Sequence, residues 1–162
     1  MKIIIDNWLD PHLAEYLNHN YLFERAHWFG HQSVGDDSVI DENRFYNHVL
    51  DTAEPINRYL FYKLRKTLMA KKMPVKLLRM YFNVQFKDMD GAFHKDDGYI
   101  TALYMVSKTR EEGDGDFEIK DEGKIRFVQN RLICFDANKK HRGLAPKDGV
   151  RIMLAFKTDL ER

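Results

Sequence analysis

At 162 residues the chain suits one domain spanning 1–162, large enough to bury about 70% of its unfolded surface around a core that needs no staples. Its 44% hydrophobic, 31% charged and 13% aromatic residues exclude a disordered or membrane-embedded chain. A formal net charge of +1 provides no general pull toward nucleic acid or anionic membrane. The single Cys134 rules out an intramolecular disulfide and, inside the apolar run 132–135, reads as a small core residue. The apolar run between Lys2 and Asp6 is too short for a signal-peptide core or a membrane span, so a cytoplasmic protein is expected.

Asp10-Pro11 marks a helix start, with Asp as N-cap and Pro at the first helical position. Leu9, Leu13, Tyr16 and Leu17 then recur at helical spacing, which predicts a short helix to about residue 18. Residues 23–33 read as a strand. Its His27 and His31 look like surface or interface groups, with metal ligation the sharper alternative. Gly35-Asp36-Asp37 breaks the strand into a loop, and from Asp41 the pattern reads as helical. Pro55 fits the first turn of a second, longer helix to about residue 71, with Ile56, Leu60, Leu64 and Leu68 as its apolar stripe. Lys63, Arg65, Lys66, Lys71, Lys72 and Lys76 make its end basic. Solvated lysines near a helix C-terminus explain that run; a nucleic-acid footprint is the other reading.

After Pro74 the period changes from 3.6 to 2. In residues 76–86, Leu78, Met80, Phe82, Val84 and Phe86 alternate with Arg79, Tyr81, Asn83 and Gln85, so one face is apolar and the other polar. The apolar face suits packing under helices, leaving the polar one to line a wetter cavity. Further strands are expected at 99–107, 116–120, 124–128, 131–135 and 150–157, separated by turn signals such as Glu122-Gly123 and Lys147-Asp148-Gly149. Helices first and many short strands afterwards indicate an α+β fold with a curled double sheet or jelly roll. Residues 1–75 would be mainly helical support and 76–158 the β core. The acidic, glycine-containing loop 110–116 reads as a solvated hairpin loop or as a mobile lid.

The chemistry concentrates at the end of the first long strand. In Phe93-His94-Lys95-Asp96 an extended backbone points His94 and Asp96 the same way, and His141 follows the fifth strand. Two histidines and one carboxylate suit a divalent metal with open positions, the donor set of non-haem Fe(II) oxygenases, although zinc accepts it too. Arg151 enters the last strand, where Val150, Ile152, Leu154 and Phe156 occupy one face and Arg151 shares the other with Met153 and Ala155. A guanidinium inside a cavity needs an anion. No acidic residue of the sequence is an obvious partner, so the natural partner is a ligand carboxylate.

His94-x-Asp96, His141 and Arg151, with Gly115-Asp116-Phe117 between and 130–136 before the distal histidine, resemble the 2-oxoglutarate- and Fe(II)-dependent dioxygenases. Within them the prolyl 4-hydroxylase-like branch is the nearest, over about residues 76–157. The resemblance implies a distorted double-stranded β-helix with the N-terminal helices packed on its major sheet, and iron held by His94, Asp96 and His141. It implies that Arg151 pairs with the distal carboxylate of 2-oxoglutarate, with Asn83, Gln85 and Tyr81 as further cosubstrate contacts. Fe(II), 2-oxoglutarate and O2 are then the cofactors. No general base is needed, because metal and cosubstrate supply the hard chemistry. The expected activity is hydroxylation of a C–H bond on a protein or peptide residue such as proline. A free amino acid or small molecule, an alkylated nucleobase, a hydrolytic zinc site and a non-catalytic metal-binding jelly roll are the alternatives. No membrane partner is expected.

Overall fold

The alternating segment after Pro74 lies at the middle of the molecule. In the computed structural model of the protein, residues 1–21, 28–32, 44–108 and 114–161 are described. The elements in chain order are β1 (Lys2–Ile5), α1 (Pro11–Tyr16) with a π-helical turn (Leu17–Tyr21), β2 (Phe29–Gln32), β3 (Arg44–Val49), α2 (Pro55–Met69), β4 (Val75–Gln85), β5 (Ile100–Met105), β6 (Phe117–Ile119), β7 (Gly123–Ile125), β8 (Leu132–Asp136), β9 (His141–Gly143) and β10 (Arg151–Leu160). Seven strands pair antiparallel in the order β1-β8-β5-β10-β4-β3-β2, and three more in the order β7-β6-β9. Among the described residues no helix is long and apolar enough to cross a membrane.

Alternation sends the side chains of the large sheet to two different cores. Met80, Phe82 and Val84 of β4 and Ile152, Leu154 and Phe156 of β10 share one core with Leu60, Leu64 and Leu68 of α2 and with Trp8 and Leu17. On the opposite face Leu103, Met105, Phe135, Met153 and Ala155 meet Phe117, Ile119 and Ile125 of the small sheet. A sheet covered on both sides explains why β5 and β8 read as almost unbroken apolar runs. Full burial of side chains such as Phe82, Leu154 and Phe156 stabilises the fold by roughly 1.5 to 3 kcal/mol each.

The described part of the N-terminal half contains three strands besides its helices. Residues 44–49 form β3, hydrogen-bonded along β4 with Tyr46 opposite Val84 and His48 opposite Phe82, where a helix is expected from the sequence. Phe45, Tyr46 and Val49 favour a pleated surface, and the open edge of β4 supplies hydrogen bonds that a helix would otherwise make internally. β1 is likewise unexpected. Its three isoleucines pair with β8, Ile3 opposite Cys134. The first helix starts as read, the Asp10 carboxylate accepting from the His12 N–H at 2.9 Å, but becomes π-helical at Leu17. The second ends at Met69. His27, the loop at 35–37 and the start of the expected helix at 41–43 lie outside the described residues. Along the basic end of α2, Arg65 pairs with Glu161 at 2.6 Å and Lys76 with Asp159 at 3.8 Å.

Cys134 is fully enclosed in the helix-side core, and burial pushes its thiol up to about 12. Native protein at pH 8 is therefore expected to resist a thiol reagent and to react at one thiol per chain after denaturation; labelling of native protein at a free-thiol rate would contradict this packing.

Candidate metal centre

His94 and His141 are brought together by the backbone before their side chains are considered. His94 N–H donates to the His141 carbonyl at 3.0 Å and His141 N–H donates to the His94 carbonyl at 2.9 Å. Residues paired in this way project their side chains to the same face, and the two rings lie with centroids 4.5 Å apart. Gly91 N–H to the Gly143 carbonyl at 2.8 Å and Asp96 N–H to the Ala137 carbonyl at 2.9 Å fix the segment on either side. Asp96, two residues beyond His94, then turns its carboxylate to the same place. Its Oδ1 is 3.6 Å from His94 Nε2, and its Oδ2 is 3.1 Å from His141 Nε2. One donor atom from each of the three lies within 4.8 Å of the others, so the set could hold a metal ion.

The tautomers favour that use. His94 Nδ1 is 2.9 Å from the Ala92 carbonyl and His141 Nδ1 is 2.8 Å from the Lys139 carbonyl. A carbonyl only accepts, so each Nδ1 carries the proton. In the neutral rings each Nε2 lone pair is therefore turned toward Asp96. Burial, together with the neighbouring His141, pulls the His94 pKa below the usual imidazole range, favouring the neutral ligand form. Burial alone would push Asp96 up. The neighbouring His141 and the charge and hydrogen bond of Lys157 outweigh it, and the carboxyl stays well below the usual carboxylate range. Thr101 Oγ1 also donates to Asp96 Oδ2, at 2.6 Å, and the Lys157 ammonium is bonded to the same oxygen. Phe117 and Phe135 pack around the His141 ring.

Arg151 opens into the same pocket, a cavity of about 70 Å³ that is partly open to solvent. It is 2% exposed. Its Nε donates to the Gly115 carbonyl at 2.6 Å, Nη1 to Gln85 Oε1 at 2.5 Å and Nη2 to Met153 Sδ, and its guanidinium carbon lies 5.0 Å from the Phe127 ring centroid. All of these partners are neutral. Burial lowers its pKa to about 9, partly offset by Asp116, so it is charged at neutral pH. Among the described residues no carboxylate forms an ion pair with it. A side chain at Gly143 would place its Cβ 2.8 Å from both Arg151 Nη1 and Gln85 Oε1, which is why the chain has only hydrogen there.

Tyr81, Asn83 and Gln85 line the pocket from β4, as does Phe45 from β3. Gln85 is committed to Arg151 and to the Met89 and Gly143 carbonyls. Asn83 Oδ1 is buried with no hydrogen-bond partner among the described residues. Four features escape the sequence reading: Lys157, Thr101, Gly143 and Phe45. Lys157 alone carried a usable signal, because the alternation Arg151, Met153, Ala155 continues to it and a lysine inside a buried strand needs a partner. Of the acidic loop, 110–113 lie outside the described residues. Its end is tied down: Asp114 accepts from Lys147 N–H at 2.6 Å and Gly115 accepts from Arg151.

No protein-family description matches the sequence, and no curated protein is recognisably related to it. Solved structures do match, and the fold they share with this chain is that of the 2-oxoglutarate and Fe(II) oxygenases. The chain aligns over 98% of its length with 84% of an oxidoreductase of the 2OG-Fe(II) oxygenase family from Burkholderia pseudomallei, at TM-score 0.71 and 13% identity. It is similar to HygX from Streptomyces hygroscopicus, solved with nickel, 2-oxoglutarate and hygromycin B, at TM-score 0.73 and 14% identity over 98% of this chain and 82% of that one. A prolyl hydroxylase from Trichoplax adhaerens, in complex with a hypoxia inducible factor peptide fragment, matches at TM-score 0.68 and 12% identity, with 98% and 83% covered.

Thr101→Val removes the hydroxyl that orients Asp96 without changing any charge. Metal affinity is expected to fall about 10- to 100-fold, the range for losing a partner of a metal ligand, measured by calorimetric titration of metal-free protein with Mn(II). Unchanged affinity would remove Thr101 from the site.

Proposed function

We propose that the protein is a non-haem Fe(II) dioxygenase that couples oxidative decarboxylation of 2-oxoglutarate to hydroxylation of a substrate C–H bond. One observation carries the reading: a buried, charged Arg151 whose hydrogen-bond partners among the described residues are all neutral opens into the pocket that also holds His94, Asp96 and His141. An uncompensated buried charge is unfavourable by several kcal/mol, and a dicarboxylate with one end at the metal supplies the missing anion at the other.

His94, Asp96 and His141 would hold the iron and leave positions for cosubstrate and O2. The chemistry iron supplies there is O2 activation, by which 2-oxoglutarate, O2 and R–H become succinate, CO2 and R–OH. Arg151 binds the far carboxylate of 2-oxoglutarate by a forked, charge-assisted contact worth roughly 1.5 to 3 kcal/mol. Gln85 holds Arg151 in place, while Asn83 and Tyr81 line the path between the two ends. Phe117, Phe45 and Leu103 keep the walls apolar and limit water. The domain spans 1–162, its two sheets forming the halves of a distorted double-stranded β-helix with the helices on the larger sheet.

A protein or peptide residue such as proline is the favoured substrate. The similarity to a prolyl hydroxylase solved with a peptide supports it, and the similarity to HygX keeps small molecules in the test panel. Anaerobic addition of Fe(II) and 2-oxoglutarate is expected to produce a visible charge-transfer band. Exposure to O2 should then give succinate, stimulated by one member of a panel of peptides, amino acids and nucleotides. Absence of both the band and succinate would overturn the assignment.

Two substitutions separate the roles. Asp96→Ala should abolish succinate formation by loss of metal. Arg151→Ala should weaken 2-oxoglutarate about 10- to 100-fold with metal affinity within a few-fold of the parent, as read from separate titrations of Mn(II) and cosubstrate. A main effect of Arg151→Ala on metal retention would refute the carboxylate role.

A further inference from the structure

Two cations draw on one carboxylate in this pocket. Lys157, on the same face of β10 as Arg151, is 2% exposed, with its ammonium bonded to Asp96 Oδ2 and 5.7 Å from the Tyr81 ring centroid. Asp96 is also the single carboxylate of the candidate metal set. Among the described residues Lys157 has no second acidic partner, so its charge is balanced by Asp96 alone. A divalent ion that takes Asp96 as a ligand must share that negative charge with the ammonium, in a site where little water screens one cation from the other.

Resting on the function proposed above, we infer that Lys157 competes with the metal for Asp96: its charge weakens metal binding and leaves the site with an excess of positive charge that 2-oxoglutarate offsets. Before cosubstrate enters, the two positive charges of the metal, one of Lys157 and one of Arg151 face the single negative charge of Asp96. The dianion 2-oxoglutarate offsets most of that excess, and its two ends go to the metal and to Arg151. Each ligand therefore favours the other, and by linkage the factor is the same in both directions. Thr101 touches the same Asp96 oxygen without charge, so it orients the carboxylate and does not compete with the metal.

The sign of the effect separates this from simple support of Asp96. Removing a group that only orients a ligand weakens the metal, whereas removing a competing charge tightens it. Metal-free protein is titrated with Mn(II), with and without saturating 2-oxoglutarate, and with 2-oxoglutarate in the presence and absence of Mn(II). In the parent, 2-oxoglutarate should tighten Mn(II) by a factor within about 5 to 150, and Mn(II) should tighten 2-oxoglutarate equally. Lys157→Met should bind Mn(II) alone about tenfold more tightly. Lys157→Arg, which keeps the charge, should behave as the parent, and Thr101→Val should weaken Mn(II) while leaving the enhancement unchanged. If Lys157→Met does not fold without metal, Lys157→Gln carries the same expectation, since it leaves Asp96 a hydrogen-bond donor but no charge. Equal or weaker Mn(II) binding by the neutral variants would overturn the competition while leaving the enzyme assignment standing. A parent protein that binds neither Mn(II) nor 2-oxoglutarate would overturn the assignment itself.

Discussion

The reciprocal pair of backbone hydrogen bonds between His94 and His141 is the contact on which the site depends. It lays the segment after β4 against β9 and so joins the outgoing end of the large sheet to the small one. Both imidazoles follow from it, because paired residues face the same way, and Asp96 follows from the extended backbone two residues on. The donors come from two segments far apart in the chain, 94–96 and His141, so the unfolded protein has no such site. Metal binding would then add directly to the stability of the folded state.

Charge burial is the second constraint. Asp96, Lys157 and Arg151 are all enclosed, and burying a charge is unfavourable unless hydrogen bonds and counter-charges compensate. Asp96 and Lys157 compensate each other, with Thr101 and His141 completing the carboxylate's contacts. Arg151 is treated differently. Its donors meet a carbonyl, an amide oxygen and a thioether, which satisfy hydrogen bonding but leave the charge without a neighbouring anion in an ion pair. That asymmetry is the physical basis for expecting a ligand carboxylate there, and Gly143 preserves it by leaving room for the Arg151–Gln85 contact.

The two-sided large sheet decides where such a pocket can exist. Its helix-side face is filled by leucines of α2 and the residues around Trp8. The face toward the small sheet is apolar through Leu103, Met105, Met153 and Ala155, yet β4 contributes Tyr81, Asn83 and Gln85 on that side. Polar lining and apolar support thus meet along one strand, beside the ends of β10 that carry Arg151 and Lys157.

The sequence by itself determined the local rules. Period-two alternation in β4 separated core from pocket residues, Asp10-Pro11 and Pro55 set helix starts, and the two-residue spacing of His94 and Asp96 placed both side chains on one face. The strand at Arg151 was legible for the same reason. Only the tertiary structure decided what depends on long-range pairing. Residues 44–49 became a strand because β4 offered an open edge, a partner that no local window contains. Lys157 became part of the site because Asp96 lies beside it in space, while in the chain it is the next member of an alternation that otherwise looks like core. Short-range periodicity fixes which way a side chain points; which group it meets there is set by the pairing of strands distant in sequence.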